Sequence, residues 1–127
     1  MTVRTDRYQN AVTRYFEAWN AREPETLAKT VAEAWAPQGS YTDPLADVRG
    51  PEGITALIAA TQAQFPGFAF RLTGRVDGHH DTARFSWELV SETDGSAPVA
   101  GSDVITLDTD DRILSVLGFL DRVPAGA

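Results

Sequence analysis

The sequence has 127 residues, 43% apolar and 23% charged, with three Trp, three Tyr and six Phe. It fits one domain with one core and excludes disordered, collagen-like and coiled-coil chains. Eighteen acidic against eleven basic residues give a formal charge of −7, which disfavours nucleic acid and anionic membrane as partners, since the bases are scattered from Arg4 to Arg122 rather than clustered. The absence of cysteine excludes a disulfide scaffold, a thiol nucleophile and Cys-ligated zinc, and predicts a cytoplasmic protein.

The first residues, Met1 to Arg7, lack the apolar run and cleavage site of a secretory signal, and the longest apolar stretch, Ile54 to Ala60, is far short of the ~20 residues that span a bilayer. Neither export nor membrane insertion is predicted. From Tyr8, the residues Val12, Tyr15, Phe16 and Trp19 fall at helical spacing, which predicts a first helix over Asp6 to Ala21. Pro24 suits the first turn of a second helix, whose inner face is Leu27, Val31, Ala34 and Trp35 and which Pro37 stops. A short extended piece, Gly39 to Asp43, and a loop with Pro44 and Gly50 lead to a third helix opened by Pro51, with Ile54, Leu57, Ile58, Thr61 and Phe65 on its stripe.

Pro66-Gly67 ends that helix, and the period changes to alternation in Phe68, Phe70, Leu72, Gly74 and Val76, a half-buried strand. Asp77-Gly78 is the expected turn into a second strand carrying Phe85, Trp87 and Leu89 on one face. Turns at Thr93-Asp94-Gly95-Ser96 and Asp108-Thr109-Asp110-Asp111 introduce two more strands, Val99 to Leu107 and Arg112 to about Val123. The expected order is ααβαββββ: an α+β domain with a cone-shaped, curved, mostly antiparallel sheet wrapped around three helices. No internal repeat or linker interrupts residues 1–127.

The usual motifs are missing. There is no G-x-x-x-x-G-K-[ST], Gly50-x-x-Gly53 is too short for a dinucleotide fingerprint, and no serine lies in G-x-S-x-G. Asp108-x-Asp110 starts like a calcium loop, but Ile113 stands where that loop needs Gly and Phe119 where it needs Glu. His79 and His80 are the only histidines; neighbours on a strand point to opposite faces, so the pair reads as a solvated hairpin end, with one ring lining a pocket as the alternative. No metal and no cofactor is expected.

Three polar residues fall where their neighbours suggest burial: Tyr15 on the inner face of the first helix, Asp43 before Pro44, and Asp103 inside a strand. Singly, they read as a core aromatic, a turn start and an outward strand residue. Together with the element order, Tyr41-Thr42-Asp43-Pro44, Arg49-Gly50-Pro51-Glu52, Asp110-Asp111-Arg112-Ile113 and Gly118-Phe119, they give the chain a resemblance to the nuclear-transport-factor-2-like superfamily. Within it, the chain is similar to the ketosteroid isomerase and SnoaL-like (polyketide cyclase-like) branch, and the likeness covers nearly the whole chain.

That resemblance implies an apolar pocket and a set of roles. Arg14-Tyr15 resembles the Arg-Tyr step whose tyrosine is an oxyanion donor, Asp43-Pro44 the pair whose aspartate is the general base, and Asp103 in Ser102-Asp103-Val104 the acid that completes the oxyanion hole. A carboxylate would then remove a proton beside a carbonyl while Tyr15 and protonated Asp103 hold the enolate oxygen, the logic for which ketosteroid isomerase is itself the type case. Trp19, Trp35, Ile58, Phe85, Trp87, Leu89 and Leu120 are the expected substrate-binding residues. Trp35 and Ile58 stand where ketosteroid isomerases usually carry supporting tyrosines, and Leu120 where a pocket aromatic is usual, so the resemblance points to proton transfer more strongly than to a steroid.

The expected function is a cofactor-free isomerase or polyketide-cyclase-like enzyme acting on a small hydrophobic carbonyl compound. The alternative is a non-catalytic small-molecule-binding or dimerisation module, in which Asp103 is ionised and paired with Arg84. An epoxide-hydrolase arrangement needs Arg and two acids around a water, and Arg84 with Asp103 would supply only part of it. The resemblance also implies a homodimer.

Overall fold

The computed structural model describes residues 3–124. Helix α1 (Val3–Asn20) buries Tyr8, Ala11, Val12, Tyr15, Ala18 and Trp19 along one face. Helix α2 (Pro24–Ala34) begins on a proline, whose missing N–H needs no partner in a first turn. It stops three residues before Pro37: Trp35 is already extended, and proline disfavours helical backbone at the residue before it, Ala36. The extended conformation lets the Trp35 indole reach the Ser40 carbonyl at 3.3 Å, so Trp35 opens strand β1 (Trp35–Asp43) rather than closing the helix.

Strand β2 (Ala46–Arg49) occupies what the sequence reads as loop. Pro44-Leu45 is a tight turn between β1 and β2, and the Asp43 carboxylate fixes it by accepting the Leu45 N–H at 2.8 Å. Helix α3 (Gly50–Gln64) follows, then β3 (Phe68–His79), β4 (Thr82–Ser91), β5 (Val99–Leu107) and β6 (Ile113–Arg122). One six-stranded sheet runs in the order β2-β1-β6-β5-β4-β3, parallel between β1 and β6 and antiparallel elsewhere. The result is an α+β domain with a curved, unclosed sheet, ordered ααββαββββ.

The β3–β4 turn falls at His80-Asp81, three residues after the expected Asp77-Gly78. A bulge between Thr73 and Asp77 lengthens β3, and Gly78 serves close packing instead: a Cβ there would lie 2.7 Å from the Tyr8 ring. His80 takes the left-handed backbone of the turn, with φ 50°, and both histidines are exposed. This hairpin end is clamped to α1, where Arg7 meets Asp111 at 2.6 Å and Asp81 at 2.9 Å and the Tyr8 hydroxyl donates to the His80 carbonyl at 2.8 Å. The core joins the inner faces of α1, α2 and α3 to Phe85, Trp87, Leu89, Ile105, Leu107, Ile113 and Val116 of the sheet. Among the described residues no helix is long and apolar enough to cross a membrane.

Candidate active site

A cavity of about 510 Å³ opens between α1, α3 and the sheet, within the ~300–1,000 Å³ range of small-molecule sites. Its wall is chiefly apolar, with Phe16, Leu57, Phe65, Phe70, Leu89, Val99 and Leu120 among its residues, while Leu45 and Val123 stand exposed at the edge. Polar groups enter at few points. Tyr15 comes from α1, and Tyr41 and Asp43, two residues apart on β1, reach the same cavity as period two requires.

The Tyr15 hydroxyl donates to Asp103 Oδ2 at 2.6 Å, and the Tyr41 hydroxyl donates to Asp43 Oδ2 at 2.6 Å. These two tyrosine–carboxylate pairs lie side by side. A Cβ placed at Gly118, on β6 between β1 and β5, would sit 2.8 Å from Asp103 Oδ1 and 3.4 Å from Asp43 Cβ. Glycine at 118 therefore makes room for the Asp103 carboxyl. Gly101 does the same for the floor, since a Cβ there would strike the Trp87 ring at 2.3 Å.

Asp103 is 1% exposed, and the remaining oxygen, Oδ1, is buried with no hydrogen-bond partner among the described residues. Burial pushes its carboxyl up to about 6; the hydrogen bond from Tyr15 works against that rise, and the negative charges of Asp43 and Asp121 add to it. The Tyr15 hydroxyl is held well above the ordinary tyrosine range, first by burial and then by the charge of Asp103. Tyr41 is raised as well, by burial and by its bond to Asp43.

The structure brings Tyr15 and Asp43 to the cavity and sets Asp103 behind Tyr15, off the wall. Of the expected substrate-binding residues, Trp19, Trp87, Leu89 and Leu120 line the cavity. Trp35, Ile58 and Phe85 do not: they are buried beneath it, and the rings of Trp35 and Phe85 pack 5.5 and 5.4 Å from that of Tyr15. Phe85 shares a strand face with Trp87 but pairs in register with Asp103, one layer below the wall. His79 and His80 lie at the far hairpin, away from the cavity, and among the described residues no cluster of three His, Cys, Asp or Glu is placed to hold a metal. Arg84 pairs with Asp77 at 3.2 Å on the exposed side of β4, so it neither neutralises Asp103 nor completes an epoxide-hydrolase set. Tyr41 was not among the expected residues; the Tyr41-x-Asp43 spacing on a strand is the signal that marks it.

The family model for the SnoaL-like domain matches residues 12–116. The chain belongs to the SnoaL-like family. A candidate isomerase of that family from Agrobacterium tumefaciens C58 is 41% identical, with 91% of this chain and 98% of that chain covered and a TM-score of 0.86. Two candidate polyketide cyclases, a SnoaL-like one from Jannaschia sp. CCS1 and one from Sinorhizobium meliloti, are each 20% identical. The first covers 91% of this chain and 86% of its own with a TM-score of 0.74, the second 86% and 93% with 0.64. At that identity they share the fold with this SnoaL-like protein. A comparison with curated proteins finds no match.

Proposed function

We propose that this SnoaL-like protein is a cofactor-free general acid/base enzyme, an isomerase or polyketide-cyclase-like enzyme, that moves a proton at a carbon next to the carbonyl of a small hydrophobic compound. The observation that carries the reading is the buried Asp103 carboxyl, bonded to Tyr15 at the cavity wall, paired with no cation among the described residues and raised to about 6. A carboxyl in that state holds its proton at mildly acidic pH, as a hydrogen-bond donor requires. The likeness to a candidate isomerase and to candidate polyketide cyclases supports the same reading.

In this reading Asp43 is the base. Tyr41 and the Leu45 N–H hold its two oxygens, at 2.6 and 2.8 Å, so the carboxylate is fixed at the cavity edge rather than free to rotate. The substrate oxygen lies against Tyr15. When Asp103 carries its proton it donates to the Tyr15 oxygen and frees the Tyr15 hydroxyl for the ligand, so the donors act in line rather than side by side. The apolar wall excludes water and strengthens each of these interactions. We place the protein in the cytoplasm on its lack of cysteine, and as a homodimer through the outer sheet face, where Leu117 and Phe119 stand 50% and 58% exposed.

The test follows a β,γ-unsaturated ketosteroid spectrophotometrically as its conjugated enone forms. Wild type exceeds buffer, and Asp43→Asn loses about 100-fold or more, the usual weight of a general base. Equal rates in the two proteins would exclude Asp43 as base. A cavity that binds carbonyl ligands yet promotes no proton transfer would favour the binding-module reading, in which Asp43 only fixes its turn.

A further inference from the structure

The donors on the cavity wall are not equivalent. The hydroxyls of Tyr15, Tyr41 and Thr61 each donate to a protein acceptor. The indole N–H of Trp19 is buried and has no acceptor among the described residues. A buried donor without a partner costs free energy, and such a group calls for a reason. By contrast, the Trp35 indole is bonded to Ser40.

The Trp19 ring is held in place. Its backbone carbonyl accepts the Gln62 amide at 2.9 Å, and its ring packs against Tyr41 at 5.4 Å and Phe70 at 4.9 Å. It lies four residues after Tyr15 on the same face of α1, with ring centroids 6.3 Å apart, and its N–H favours the charged form of the Tyr15 hydroxyl. The nitrogen is sealed by its surroundings, so it acts on the ligand through Tyr15.

We propose that Trp19 is a positioning residue whose indole N–H donates to the Tyr15 oxygen when that oxygen takes on negative charge from a bound oxyanion. The Tyr15 proton moves along its hydrogen bond toward the ligand oxygen, and the matching negative charge appears on the Tyr15 oxygen; no other reactant is needed. An N–H that lacks an acceptor at rest and gains one only in the charged state stabilises that state selectively, which is how a preorganised donor lowers a barrier. The inference rests on the reading above in taking the cavity as the ligand site and Tyr15 as its donor, and it adds a residue that reading does not use.

The experiment compares wild type with Trp19→Phe, which keeps an aromatic ring against Tyr41 and Phe70 and removes the N–H. Dissociation constants are measured for ring-substituted 2-naphthols of falling pKa, whose bound oxygen carries increasing charge, and for the neutral methyl 2-naphthyl ketone. Trp19→Phe is expected to weaken the most acidic naphthol about tenfold and the ketone less than twofold, because hydrogen bonds to charged groups are the stronger ones. A merely structural role would weaken every ligand equally, and that flat ratio overturns the inference while leaving Asp43-dependent turnover to stand or fall on its own assay. A wild type that binds none of these ligands overturns the inference together with the pocket reading. Should Trp19→Phe not fold, the wild type still decides: the Trp19 indole proton resonance moves downfield with the naphthols and not with the ketone, and its failure to move overturns the proposal.

Discussion

Replacing Asp103 with Asn changes the pH dependence of stability in a direction and amount that follow from the site. In the folded protein burial raises the Asp103 carboxyl from its ordinary 3.8 to about 6. Between those values the unfolded chain has released the proton and the folded one retains it, so the unfolded state binds fewer protons and stability falls as pH rises. The contribution is fully present below 3.8 and lost once pH has passed 6. A gap of about two pKa units corresponds to roughly 3 kcal/mol. Asparagine is isosteric, offers an oxygen to the Tyr15 hydroxyl and does not titrate. The variant's stability relative to wild type should therefore rise by roughly 2 to 3 kcal/mol between pH 4 and pH 8, while other carboxyls cancel in the comparison. Urea unfolding of both proteins across that range measures it. A difference independent of pH, or one that falls as pH rises, would refute the claim that Asp103 is a buried carboxyl holding its proton.

Two further outcomes are expected. Gly118→Ala places a methyl 2.8 Å from Asp103 Oδ1 and should cost ~1–3 kcal/mol in thermal melts, whereas Gly53→Ala, inside α3 with only the Val48 Cβ at 3.5 Å, should stabilise by ~0.5–1 kcal/mol; equal effects would contradict the packing described at Gly118. Light scattering should find a dimer that Phe119→Asp converts to monomer, and a monomeric wild type would contradict the assignment of the outer sheet face as an interface.

The helices and the four long strands are legible because each buries one face, and a repeated face leaves a period in the sequence. Strand β2 leaves none, being four residues long and half exposed. The β3–β4 turn is not legible at its true place because Gly78 carries a turn signal for another reason, the close approach of Tyr8. At the site, Tyr15 and Asp43 are legible from local motifs. Whether Phe85 or Trp87 reaches the wall depends on the layer depth of a curved sheet, which alternation alone does not encode: both share a strand face, yet only Trp87 lines the cavity. The setting of Asp103 behind Tyr15 rests on a bond spanning 88 residues, and Tyr41 is visible only when the Asp43 motif is read as a strand.

The most direct test of the central claim, that Asp43 removes a proton from a carbon acid in this cavity, is deuterium uptake by 2-tetralone in heavy water, whose benzylic α-protons are acidic enough to report a weak base. The account predicts exchange above buffer in the wild type and a loss of about 100-fold or more in Asp43→Asn. Exchange no faster than buffer while the ketone occupies the cavity, or exchange unchanged in Asp43→Asn, would contradict it.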